Sequence, residues 1–204
     1  MKKLIRHPLF LRFFKKLTQH FSFPIRLKVL ESRLPKYLTS AHKVLDFGSS
    51  NGRLAYLLSK KAKFTAIGVD THILPKTYIK IKKYDGRKLP FPDKSFDTVL
   101  IIDVLHHDLE PEKILAEAKR VAKETILIKD HFWQNKFDFL LLKICDFIGN
   151  VPYGIYCPYN FFTQSDWQRL FSQLALIPVK TETFRFMPLD PCRHVIYSLK
   201  ILSE

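Results

Sequence analysis

The chain has 204 residues, 47% hydrophobic and 26% charged, a balance that excludes a disordered polymer and fits one globular domain with additions. Its net charge of +15 is concentrated, because residues 1–43 carry eleven Lys/Arg against the single acidic residue Glu31. Three cysteines (Cys145, Cys157, Cys192), odd in number and without a C-x-x-C pair, argue against a disulfide framework or a zinc knuckle.

The most apolar stretch, residues 137–148, is broken by Asp138, Lys143 and Asp146, whereas a membrane span needs about 20 apolar residues. The start imitates a secretory leader, but Arg6, His7, Pro8 and Arg12 interrupt any apolar core and no small-residue cleavage site follows. A cytoplasmic protein is expected, peripheral at a membrane at most.

In chain order, residues 1–40 read as a basic amphipathic helical extension, with Leu4, Ile5, Leu9, Phe10, Phe13, Phe14 and Leu17 interleaved with Lys/Arg. Residues 41–204 read as one domain in which short apolar runs (44–47, 64–69, 78–82, 98–102, 125–128) alternate with helical patterns. Leu54, Leu57 and Leu58 mark the buried face of a first crossover helix. Pro111 opens another, with Ile114, Leu115, Ala118 and Val121 as its apolar stripe. Residues 71–77 are short for a parallel crossover, which usually takes a dozen or more, so the helix there is very short or absent. Ten aromatics fall within residues 131–162, predicting an aromatic lid insert at about 131–163. Ser165 is expected to cap a helix carrying Trp167, Leu170, Phe171 and Leu174, before two strands near 177–186 and 194–202. The fold class is therefore α/β, a doubly wound and mostly parallel sheet with a helical basic N-terminal extension.

Residues 44–53 read Val-Leu-Asp-Phe-Gly-Ser-Ser-Asn-Gly-Arg, a strand ending in an acid and turning through small residues into a helix. Ligands of doubly wound sheets sit at this edge, and Gly48 and Gly52 are expected to let backbone approach one closely. The dinucleotide fingerprint G-x-G-x-x-G is not met, which argues against a pyrophosphate. Asp70 ends the second strand 24 positions after Asp46, near the spacing at which an acid meets ribose hydroxyls. Asp85 ends the third strand and Asp103 the fourth. Four carboxylates at one edge predict an acidic pocket for a ligand with positive charge and ribose hydroxyls.

These residues, with Asp85-Gly86, the run Leu-Pro-Phe-Pro-Asp-Lys-Ser-Phe-Asp at 89–97 and Asp-Val-Leu-His-His at 103–107, resemble a class I S-adenosylmethionine-dependent methyltransferase of the small-molecule branch. The resemblance implies S-adenosylmethionine as cofactor. It implies that Asp46 and the loop of Gly48, Ser50 and Gly52 hold its methionine part, Asp70 its ribose and Asp85 its adenine amino group. Gly86 would leave room for the ring, and Asp103 would lie by the sulfonium. Two departures stand out: Ser50 replaces a usual glycine, and the usual Gly-Gly turn before the fifth strand is missing.

Methyl transfer from a sulfonium mainly needs alignment and exclusion of water, and an oxygen acceptor also needs a base near neutral pKa. His131, His107 and His106 are the candidates, against the plainer reading of structural histidines bonded to backbone carbonyls. No metal is expected, since a set of His106, His107, Asp108 and His131 would include adjacent histidines that should point apart on a loop. The aromatic insert predicts a small apolar, aromatic or lipid-linked acceptor. The basic N-terminus reads as a solvated helical cover or, over residues 1–30, as a membrane-surface helix. Nucleic acid is disfavoured because the fourth strand lacks the Pro-Pro-Tyr pattern of base-amine methyltransferases. An RNA methyltransferase and a non-catalytic relative that keeps the fold are the rivals.

Overall fold

The computed structural model describes residues 8–202. The expectations placed on Leu4 and Ile5 lie outside the described residues. Seven strands form one sheet: β1 (Lys43–Phe47), β2 (Thr65–Asp70), β3 (Lys80–Lys83), β4 (Phe96–Ile102), β5 (Ala122–Phe132), β6 (Leu176–Phe184) and β7 (Arg193–Ile201). Their order is β3-β2-β1-β4-β5-β7-β6, parallel except for β7, which runs antiparallel to both neighbours. Among the described residues six α-helices accompany them: α1 (Pro8–Leu17), α2 (Phe23–Arg33), α3 (Arg53–Ala62), α4 (Pro111–Val121), α5 (Lys136–Asn150) and α6 (Gln164–Gln173).

The near-continuous apolar strands are buried on both faces, and alternation along each strand sorts their residues into two core layers. Leu45, Ile101 and Ile128 face α4 and α6, meeting Leu115, Ala118, Trp167 and Phe171. Val44, Leu100 and Leu127 face the other way, against Leu58 of α3 and Leu30, Leu34 and Leu38. Because Leu30, Leu34 and Leu38 are fully buried, the C-terminal part of the basic segment is a layer of this sandwich and not an appended arm.

Several boundaries differ from the sequence reading for identifiable reasons. The helix after the lid is capped by Thr163, not Ser165: the Thr163 side chain accepts from the Asp166 backbone while Asp166 reaches back to the Thr163 N–H. Residues 71–79 join β2 to β3 without a helix, because the short exposed strand β3 needs no cover on its outer side. That connection is pinned by the Tyr78 N–H on the Asn51 carbonyl at 2.8 Å. The run 89–97 has a structural task. Phe96 is fully buried, and Asp97 accepts from the His42 and Lys43 backbones at 3.0 and 2.8 Å, tying the start of β1 to β4.

α2 is fastened to the far edge strand by Glu182 of β6, which receives Arg33, Lys36 at 2.6 Å and Tyr37 at 2.7 Å. Burial pushes the Glu182 carboxyl up, but these donors outweigh it and hold it at about 2. A carboxylate depressed on folding stabilises above its unfolded pKa and loses that contribution as pH falls toward the folded value. Glu182→Gln should therefore cost about 2 kcal/mol at pH 7 in denaturant titrations, and the gap to the parent protein should close between about pH 5 and pH 2. An equal gap at pH 7 and pH 3 would mean that charge plays no part.

Candidate active site

The carboxyl edge of the parallel strands collects the acidic residues as a β-α alternation requires. Asp46 lies in β1 beside Gly68 of β2 and Leu100 of β4, Asp70 closes β2, Asp85 follows β3, and Asp103 directly follows β4. Asp46 is buried under the 48–52 loop. Burial, reinforced by the nearby Asp70 carboxylate, pushes its carboxyl up to about 7 against a smaller opposing pull from Arg26. Asp70 holds the loop in place, accepting from the Ser50 N–H at 2.8 Å and the His72 N–H at 3.0 Å. Asp85 is exposed, and the Arg87 and Lys88 N–H groups on its Oδ1 hold its carboxyl below the usual range.

The glycines divide into two kinds. Gly48 and Gly52 take left-handed backbone (φ +74° and +72°), and a Cβ there would strike Val104 at 2.5 Å and Ile79 at 2.4 Å. The chain's own packing demands these glycines, where the sequence reading invoked a ligand. Gly86 (φ +82°) is different: a Cβ would meet nothing nearer than Thr71 at 3.8 Å, so the space above it is open. That opening fits the flat ring expected beside Asp85.

Asp103 is the hub of the edge and is shared between two cations. Arg26 reaches it from α2 with Nε at 3.0 Å and Nη2 at 2.8 Å, and Lys129 of β5 donates at 2.5 Å. Burial would raise the Asp103 carboxyl, yet Lys129 and Arg26 prevail and hold it well below the ordinary range. This end of the pocket is thus less acidic than four aspartates imply. Arg26 and Lys129 escaped the sequence reading. Arg26 lies 77 positions away, but Lys129-Asp130-His131 inside the apolar run of β5 was a visible signal.

The three histidines have separate environments. His106 is buried, its Nδ1 donating to Asp130 at 2.5 Å and its Nε2 lying 3.6 Å from Asp146. Burial lowers its pKa, but the two carboxylates win and raise it to about 10, so it is an imidazolium without free basicity at pH 7. His107 donates Nδ1 to the Tyr156 carbonyl at 3.3 Å, and burial followed by the charge of His106 lowers its pKa. His131 lies with Nδ1 3.6 Å from Asp103 and 3.4 Å from Asp130; burial and then Lys129 lower its pKa. Adjacent His106 and His107 do not point apart. Their rings stack with centroids 4.1 Å apart, while Asp108 turns away to accept from the Glu110 N–H.

Residues 45–126 match the family described as a methyltransferase domain. The sheet order is that of the fold shared with solved S-adenosylmethionine-dependent methyltransferases. Phosphatidylethanolamine N-methyltransferase of Cereibacter sphaeroides is 30% identical over 128 residues, 53% of this chain and 62% of that protein. The ubiquinone/menaquinone biosynthesis C-methyltransferase UbiE of Cupriavidus taiwanensis is 26% identical over 144 residues, 61% of this chain and 59% of that one. The matched regions thus span about three fifths of these curated relatives. A crystal structure of an S-adenosylmethionine-dependent methyltransferase from Thermotoga maritima shares the fold with a TM-score of 0.67 and 20% identity, covering 94% of this chain and 98% of that one.

Ser50 sits in left-handed backbone (φ +52°) with its side chain exposed. A non-glycine residue is strained there by about 1 kcal/mol. Ser50→Gly should leave stability unchanged or raise it by up to about 1 kcal/mol in chemical denaturation, since relieved strain is offset by a more flexible unfolded chain. A clear loss of stability would show that the Ser50 side chain contributes a contact.

Proposed function

We propose that this chain is a working methyltransferase that takes its methyl group from S-adenosylmethionine and gives it to a lipid or lipid-linked acceptor met at a membrane surface. The observation that carries the donor half is the buried Asp46 with Asp70 near it at the carboxyl edge, together with the open space at Gly86. A carboxyl that burial, reinforced by the nearby Asp70, pushes up to about 7 forms a site that a cation stabilises. In this reading Asp46 and the loop of Gly48, Ser50 and Gly52 take the methionine part, Asp70 the ribose, and Asp85 with Gly86 the adenine. Asp103, already neutralised, positions Arg26 and Lys129 around the reacting end. S-adenosylmethionine supplies an activated methyl group whose transfer is an in-line displacement. The chain's residues align the acceptor and exclude water.

The donor site makes a pH prediction with a definite sign. Below about pH 7 a bound cation competes with a proton on Asp46, and above it the ionised carboxylate is ready. Calorimetry should show S-adenosylhomocysteine, whose amino group remains charged, binding several-fold tighter at pH 8 than at pH 6. Asp70→Ala should weaken binding by about 10–100-fold, the loss of charged hydrogen bonds to ribose. No binding by well-folded protein at either pH would refute the donor assignment.

The acceptor half rests on the surface and on the relatives. The phospholipid and quinone methyltransferases among the relatives act on lipids by name. α1 exposes Leu9, Phe13 and Leu17 on one stripe, continued by Phe21, while Arg12, Lys15 and Lys16 also stand in solvent. The lid helix α5 exposes Phe137, Leu140 and Ile144, and it packs beside α1. Apolar residues framed by cations fit an anionic bilayer. Among the described residues no helix is long and apolar enough to cross a membrane. We assign to His131, half-buried beside Asp103 and with its pKa lowered by burial and then by Lys129, the task of taking the proton that an oxygen or nitrogen acceptor releases.

With labelled S-adenosylmethionine and vesicles containing anionic phospholipid and total bacterial lipid, methyl label should enter the lipid fraction. Phe13→Asp should reduce vesicle binding at least tenfold. His131→Ala should lower the transfer rate by about 10²-fold while S-adenosylhomocysteine affinity stays within twofold. Label entering only water-soluble sugars or amino acids would overturn the acceptor class, and an unchanged rate in His131→Ala would make that histidine structural.

A further inference from the structure

His106 and His107, on the single 3₁₀ turn after β4, stand opposite Asp146 of the lid helix α5 in an arrangement that methyl transfer does not use. Each ring is fixed through Nδ1: His106 donates to Asp130 at 2.5 Å, and His107 donates to the Tyr156 carbonyl at 3.3 Å. Both Nε2 atoms therefore point the same way, 3.6 and 3.9 Å from Asp146 Oδ1. Those distances are too long for hydrogen bonds, and the donor atoms of the three residues all lie within 4.8 Å of one another.

Zinc binds nitrogen at about 2.0–2.1 Å and carboxylate oxygen at about 2.0–2.2 Å, so tetrahedral donors lie roughly 3.4 Å apart. The two Nε2–Asp146 distances need only a few tenths of an ångström of contraction. The second shell is also built, because a ligating histidine commonly donates its other nitrogen to a carboxylate or a backbone carbonyl. Asp146 is itself oriented, Oδ1 accepting from Asn150 Nδ2 at 2.6 Å. Its Oδ2 is buried and has no hydrogen-bond partner among the described residues. Such an orphaned carboxylate oxygen costs free energy unless a ligand completes it.

The neighbouring group of Asp103, His106, Asp130 and His131 also holds buried atoms without a hydrogen-bond partner among the described residues, Asp130 Oδ2 and His131 Nδ1, but its charges are already balanced. Lys129 and Arg26 already neutralise Asp103, and Asp130 Oδ1 is taken by His106 and the His131 N–H.

We propose that His106 Nε2, His107 Nε2 and Asp146 bind one divalent transition-metal ion, zinc by donor type, which clips the lid helix to the carboxyl end of β4. The proton that the His106 imidazolium carries on Nε2 leaves to solvent as the ion enters. Three protein donors leave a fourth position, and the partly exposed His107 gives it access to water or to an acceptor oxygen.

The test uses the full chain stripped with chelator and then titrated with Zn²⁺ by calorimetry, and with Co²⁺ followed by visible absorption. We expect one ion per chain, micromolar affinity or better, and the intense bands of four-coordinate cobalt. His107→Gln and Asp146→Asn should each weaken Zn²⁺ binding at least tenfold. His42→Gln, a control at an exposed histidine, should leave it unchanged. Chelated melts of each variant would show that the fold is intact. No saturable binding below about 100 μM, or wild-type affinity in either ligand variant, would overturn the proposal. Because the readout is metal binding, the site stands or falls separately from the methyltransferase reading.

Discussion

A lysine with no solvent contact must have a counter-charge, and for Lys129 that partner is Asp103, 2.5 Å away at the end of β4. Much of the functional edge is arranged around this pair. β5 runs past the end of β4, and the Asp103 N–H donates to the Lys129 carbonyl at 2.8 Å, so the pair is joined through backbone as well as side chain. The turn at Asp103 takes left-handed backbone (φ +55°), which aims its carboxylate back toward Lys129 and across to Arg26. Replacing such a pair with apolar residues is often neutral for stability, so its retention argues for position. It fixes where α2 crosses the carboxyl edge, and with it the wall of the donor pocket.

That placement divides the edge electrostatically. On the β1–β2 side, burial and the nearby Asp70 push the Asp46 carboxyl up to about 7 against a smaller pull from Arg26. On the β4–β5 side, each carboxylate has a partner: Asp103 has Lys129 and Arg26, Asp130 has His106, and Asp190 has His194 at 2.9 Å. A cationic ligand is drawn to the first side and gains little on the second. A donor whose positive groups sit at one end would be oriented by this difference before any contact specific to its shape.

The sheet was legible in the sequence because each strand carries its own local signal: an apolar run, a terminal aspartate and a turn. The same locality made Asp46, Asp70, Asp85 and Asp103 legible as one edge. Side chains that arrive from distant segments were not legible. Arg26 looks like any other basic residue of the N-terminal segment until α2 folds over β4. Ser165 and Thr163 both suit a helix cap, and only the reciprocal bond with Asp166 chooses between them. Gly48 and Gly52 were singled out for a ligand, and the structure adds a packing reason, since Val104 and Ile79 occupy the room their missing Cβ atoms leave. Asp146 stood out only as a charge breaking an apolar stretch, a signal that pointed to the histidines once α5 was placed.

The N-terminal segment and the turn after α5 are joined by direct contacts. Tyr153, just after α5, meets the Thr18 hydroxyl at 3.0 Å, lies under the Lys15 ammonium at 5.1 Å and stacks near Phe23 at 5.5 Å. The end of α2 is in turn bound to β6 through Glu182, and its middle to the pocket through Arg26. A force on α1, such as insertion of Phe13 and Phe21 into a bilayer, therefore acts on Tyr153 and the lid on one side and on Arg26 on the other. Surface binding and pocket access would then be coupled through contacts already present, without requiring a separate hinge.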